Sequence, residues 1–168
     1  MKYLFVDDMP KYLKIHVNAL RDAGHVVEIA RDLSTAWKWI GDERKTDNPF
    51  DLVLIDLGLD RKVMEFKKED EELRDALLSK GYGDLPISGQ ALGLRLWRRR
   101  NALQQPYCYF TNHLQLWLEN FDKEDPEFGG ETLEGLRDLM LDKSDLWPGN
   151  IKEKFWRARQ VWKDEQWL

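Results

Sequence analysis

The chain has 168 residues, 42% hydrophobic and 34% charged, enough for one sizeable core and an argument for a single domain over residues 1–168. A net charge of −5 argues against broad binding to nucleic acid, whose phosphates require a basic surface, and one cysteine, Cys108, excludes an internal disulfide. No window has the continuous apolar length of a membrane span or the layout of a signal peptide, so the chain reads as cytoplasmic, with no nucleic-acid or membrane partner.

Short β-rich runs alternate with segments of helical period, the pattern of an α/β fold with a parallel sheet covered on both faces. The first strand is Tyr3 to Val6. Pro10 suits the first turn of a helix whose apolar residues Leu13, Val17 and Leu20 share a face before Gly24 ends it. A second strand, Val26 to Ala30, leads to a helix with Leu33, Ala36, Trp37 and Ile40 on one side, and Asn48-Pro49 opens the third strand, Leu52 to Ile55.

After Asp56 the alternation breaks for about thirty residues, which is long for a strand-to-helix connection. Phe66, Leu73 and Leu77 form an apolar stripe in the charged run EFKKEDEELRDALLSKG, and the spacing predicts an inserted helix. Ser88 is a candidate cap for the next helix, with Leu92, Leu96 and Leu103 on one side. The strand Tyr107 to Phe110 follows, and Asn112 onward reads as about two helical turns. A second looser stretch, DKEDPEFGGETLEG, precedes a last strand around Leu139 to Leu141, and Ile151, Phe155, Ala158 and Trp162 mark a terminal helix.

Polar residues collect after the strands: Asp7 and Asp8 after the first, Asp56 after the third, Thr111 after the fourth and Lys143 after the fifth. Ligands of open α/β sheets bind beyond the carboxyl ends of the strands where strand order reverses. The second strand ends at Arg31 and Asp32 and contributes nothing, as expected of an edge in the order 2-1-3-4-5. Carboxylates gathered in one crevice repel by roughly 4 kcal/mol per pair at 4 Å in an effective dielectric of 20. Lys143 offsets part of that repulsion, and a hard divalent ion such as Mg²⁺ suits the rest. Beside such an ion a strand-end carboxylate can attack phosphorus and become an acyl phosphate.

These residues resemble the response-regulator receiver domains of two-component signalling, including the chemotaxis-type stand-alone receivers. YLFVDDMP resembles the family's acidic pair, LVLIDLGL its phospho-acceptor strand, SGQALGLRLWRRR its third helix, PYCYFTNH its Thr/Ser strand and LMLDKSDL its lysine strand. The resemblance implies a flavodoxin-like, doubly wound five-stranded parallel sheet with insertions at about 58–86 and 122–135. It further implies that Asp56 accepts a phosphoryl group from a sensor histidine kinase or phosphotransfer protein. Asp7, Asp8, Asp56 and the Gly58 carbonyl would hold Mg²⁺, Lys143 would pair with a phosphoryl oxygen, and the Thr111 hydroxyl would swing inward to change a protein-binding surface. The chain would then be a switch rather than an enzyme, with weak self-dephosphorylation at most.

Several positions depart from the family pattern. Met140 stands where an aromatic usually precedes the lysine by three residues, and Ser144 follows Lys143 where proline is common. Together with the insertions they keep open a pseudo-receiver that binds partners without switching, and Lys123 competes with Lys143 for the lysine role. A haloacid-dehalogenase-type phosphohydrolase would need an acid two residues after its nucleophile, where Met9 follows Asp7 and Gly58 follows Asp56. His113 is either a solvent-facing residue at a helix start or a modulator of the site. Cys108 reads as a small buried hydrophobe, Arg98 to Arg100 as a solvated face, and Trp156 as lying off the terminal helix's apolar stripe. GYGDLP at 81–86 lacks the glycines and the preceding strand of a dinucleotide fingerprint.

Overall fold

The computed structural model describes residues 1–59, 63–82 and 88–168. Five parallel strands, β1 (Lys2–Val6), β2 (Val26–Ala30), β3 (Leu52–Ile55), β4 (Tyr107–Thr111) and β5 (Met140–Asp142), form one sheet in the order β2-β1-β3-β4-β5. β1 and β3 are buried throughout, as parallel strands covered on both faces must be. The register sets Val6 beside Ile55 and Ala30, so the residues following β1 and β3 leave the sheet side by side.

Alternate residues of each strand face opposite helical layers. On one side, α1 (Lys14–Asp22) and α6 (Ile151–Asp164) cover Tyr3, Phe5 and Phe110, with Phe155 packed edge-on against Tyr3 and Phe110. α6 buries Ile151, Phe155, Ala158 and Trp162, the stripe expected from the sequence, and leaves Trp156 54% exposed. Pro10 opens a 3₁₀ turn, Pro10–Leu13, that feeds α1, and Gly24 (φ 82°) takes the left-handed conformation that ends it. The other side is covered by α2 (Leu33–Glu43), whose Asp32 side chain caps the Thr35 N–H, and by α4 (Gln90–Arg98), which continues into the one-turn α5 (Arg100–Leu103).

The inserted helix expected after β3 is α3 (Lys67–Ser79), preceded by the turn Met64–Phe66. The turn and helix together bury Phe66, Leu73 and Leu77, and α3 docks on α4 through a bidentate contact of Arg95 with Glu69, at 2.8 and 2.9 Å. Arg95 also stacks 3.7 Å from the Phe66 ring centroid. Most of GYGDLP lies outside the described residues. The entry to α4 differs from the expected Ser88 cap: the N-cap is Gly89, and the Ser88 hydroxyl accepts from the Gln90 N–H at 3.1 Å.

The helix expected from Asn112 onward does not form. Only the 3₁₀ turn Leu114–Leu116 is present, after which Trp117 is extended and the chain becomes a strap across α4. Two buried anchors take the helix's place. Glu127 accepts hydrogen bonds from the hydroxyls of Tyr107 and Tyr109, from Trp117 Nε1 at 2.9 Å and from Gln90 Nε2 at 3.0 Å. Gln90 also holds the strap by both backbone groups of Leu118, accepting its N–H at 2.9 Å and donating to its carbonyl at 3.0 Å. Phe128, in the left-handed region at φ 54°, inserts its ring among Trp97, Tyr107, Trp162 and Trp167. β5 begins at Met140, one residue later than expected.

Candidate functional site

The parallel register brings the carboxyl ends of β1, β3, β4 and β5 to one crevice. Asp56 leaves β3 with its N–H bonded to the Val6 carbonyl at 3.0 Å, and Asp7 leaves β1 bonded to the Ala30 carbonyl at 2.9 Å. Both carboxylates are buried, and oxygens of Asp7, Asp8 and Asp56 lie within 4.8 Å of one another. The Lys143 ammonium sits between two of them, 2.6 Å from Asp7 Oδ2 and 2.9 Å from Asp56 Oδ2. Burial opposes its charge, but Asp56 and Asp7 outweigh that effect and raise its pKa above the usual lysine value. Lys123, the competing lysine, is exposed on the strap.

Each acid is held in place by local backbone. Asp7 Oδ1 accepts the Met9 N–H at 2.7 Å, and Asp56 Oδ1 accepts the Gly58 N–H at 3.2 Å. The Thr111 hydroxyl donates to the same Asp56 oxygen at 2.6 Å and accepts the His113 N–H at 3.1 Å. The Thr111 hydroxyl is therefore already turned toward Asp56. Gly89 donates to the Leu57 carbonyl at 3.0 Å and lies so close that a Cβ there would fall 1.8 Å from the Asp56 carbonyl oxygen. On the far side, His16 of α1 bonds through Nε2 to the Leu146 carbonyl at 3.0 Å, tying the loop after Lys143 to α1. Burial lowers the pKa of that ring and favours its neutral form.

The crevice is about 190 Å³, lined by the three acids, Lys143 and Gly58 together with Met9, Tyr12, Asn112 and His113. Its donor set is all carboxylate oxygen, with excess negative charge beyond what one lysine offsets, which fits a hard dication of the Mg²⁺ type. His113 is exposed, but not at the start of an α-helix: its ring rests over Gly58, where a Cβ would meet its Cδ2 at 3.0 Å. Met9 and Tyr12 escaped the sequence reading as wall residues. Their signal is that both lie off the Leu13, Val17, Leu20 stripe and remain exposed.

The sequence matches no protein-family model and no curated protein. The fold is that of response-regulator receiver domains. The N-terminal domain of a response regulator/sensory box/GGDEF three-domain protein from Carboxydothermus hydrogenoformans superposes with a TM-score of 0.60 at 16% identity, covering 98% of each chain. A CheY-like response regulator receiver domain protein from Methanospirillum hungatei gives 0.53 at 18% identity over 98% of this chain and 97% of the other. The bacteriophytochrome response regulator AtBRR gives 0.54 at 15% identity over 95% of this chain and 90% of the other.

Proposed function

We propose that the protein is a phosphorylation-dependent signalling switch whose acceptor is Asp56. The observation that carries this reading is the convergence of Asp7, Asp8 and Asp56 around the Lys143 ammonium, with the Thr111 hydroxyl on the acceptor itself. Mg²⁺, held by Asp7, Asp8, Asp56 and the Gly58 carbonyl, would neutralise phosphoryl oxygens during transfer. An Asp56 carboxylate oxygen attacks phosphorus, forming a P–O bond as the P–N bond to a donor histidine breaks. Lys143 is within reach of an oxygen of the new acyl phosphate, and Thr111 donates to another. The donor is a sensor histidine kinase or phosphotransfer protein, the setting is the cytoplasm, and the output is a changed surface read by another protein. The molecule acts as a signalling domain rather than as a turnover enzyme.

Incubation with acetyl phosphate and Mg²⁺ is expected to add one phosphoryl group, acid-stable and base-labile, that is lost in Asp56→Asn. Absence of the adduct under conditions that label an ordinary receiver removes the proposal.

A second reading is a pseudo-receiver that binds partners without switching. It is favoured by the Thr111–Asp56 bond already made at 2.6 Å and by Met140, buried where an aromatic would rotate. Amide exchange with and without beryllofluoride separates the two: protection gained around Thr111 and the strap supports the switch, and an unchanged pattern supports the interaction module.

A further inference from the structure

At the opposite end of the sheet, about 15 Å along the strands from Asp56, the loops entering β3 and β4 enclose a pocket of about 340 Å³ with the ends of α2 and α6. Two guanidiniums line it: Arg44, at the C-terminal cap of α2, and Arg159, on α6. Among the described residues the Arg44 guanidinium has no hydrogen bond, ion pair or ring contact, although burial disfavours its charge. Arg159 Nε is shielded from solvent without a hydrogen bond, its acid partner Asp51 standing 3.5 Å away. A shielded donor left without a hydrogen bond, as at Arg159 Nε, costs free energy, and with a second guanidinium lining the same ligand-sized cavity it makes an arrangement that an oxyanion completes.

The ordinary alternatives explain less. A cation at a helix C-terminus favours the macrodipole, but the Arg44 guanidinium donates to none of the terminal carbonyls, which only its backbone N–H reaches. Asp47 and Asp51 also line the pocket and would repel a bare anion, yet Asp51 Oδ2 is engaged by the Lys2 N–H at 2.8 Å. Their remaining oxygens are acceptors, and Asn48 and Gln104 add amides that both donate and accept. From this we infer that the pocket is a second ligand site for a small organic oxyanion, a phosphate or carboxylate that also carries hydroxyl or amino groups. The guanidiniums take the anionic end and the two aspartates the donor groups.

The test is calorimetric titration of the full chain with O-phosphoethanolamine in one arm and malate in the other, in EDTA so that the acidic crevice holds no metal. One of the two probes is expected to bind saturably, about tenfold more weakly in each of Arg44→Gln and Arg159→Gln, the loss of one charged hydrogen bond. Binding should be unchanged in Asp56→Asn, and thermal unfolding of the variants confirms that they fold. The arm that binds identifies phosphate or carboxylate chemistry. No saturable binding of either probe, binding indifferent to both arginine substitutions, or binding lost in Asp56→Asn overturns the site.

Discussion

Among the described residues Lys143 reaches two of the three clustered acids, and its removal has a definite consequence. Its side chain is 10% exposed, that of Asp7 3% and that of Asp56 10%, so solvent screens the contacts weakly. Lys143→Met leaves buried carboxylates unpaired, and a loss of about 3 kcal/mol at neutral pH is expected in urea unfolding without metal. Because the folded-state pKa of Lys143 is raised, its stabilisation is complete below the unfolded value of about 10.4 and is lost as pH rises through the folded value. The gap between wild type and Lys143→Met is therefore expected to stay constant through neutral pH and to close only in strong alkali. His113 gives a second expectation. Its ring shields Gly58 at the crevice mouth, so His113→Ala should admit water and shorten the lifetime of a phosphorylated Asp56 severalfold, as followed by loss of label.

At the level of elements, two junctions carry unusual constraint. The turn into α4 passes so near β3 that only glycine fits at 89, and the obstructing atom is the Asp56 backbone carbonyl, which cannot swing aside. Gly89→Ala is expected to cost about 3 kcal/mol in urea unfolding and to displace the acceptor loop. The strap is pinned by Glu127, which burial pushes toward the protonated form against hydrogen bonds from Tyr107, Tyr109, Trp117 and Gln90. Glu127→Gln sets an amide NH₂ against a pair of donors whichever way it is oriented, and about 2 kcal/mol of destabilisation is expected, with increased amide exchange at Trp117 and Leu118. These junctions also mark where the sequence becomes hard to read. Strands such as LVLI and the stripe of Phe66, Leu73 and Leu77 declare themselves because burial imposes a period on apolar residues. Glu127 sits in an acidic run that reads as solvated, and its partners are tens of residues away or on other elements, so no local pattern reveals it. The helical expectation after Asn112 failed for the same reason: long-range bonds to Gln90 hold Leu118 in extended chain.

For the molecule as a whole, acidity is concentrated where it is most costly. The net charge is −5, and three carboxylates meet at one end of the sheet while two arginines line a pocket at the other. The acidic convergence was legible from strand ends alone, because residues that follow parallel strands must emerge together. The opposite pocket was not, because Arg44 and Arg159 belong to helices whose docking no spacing rule specifies. Clustered charge of this kind makes the fold's stability depend on what binds it. An ion that binds the folded crevice and not the unfolded chain adds about 1.4 kcal/mol at ten times its dissociation constant, and the gain grows with the logarithm of concentration. Mg²⁺ is therefore expected to raise the unfolding temperature of the wild type progressively. Asp8→Asn should abolish most of the shift, because Asp8 is one of the three acids whose oxygens converge in the crevice. An equal shift in wild type and Asp8→Asn would mean that the ion acts elsewhere on an acidic surface.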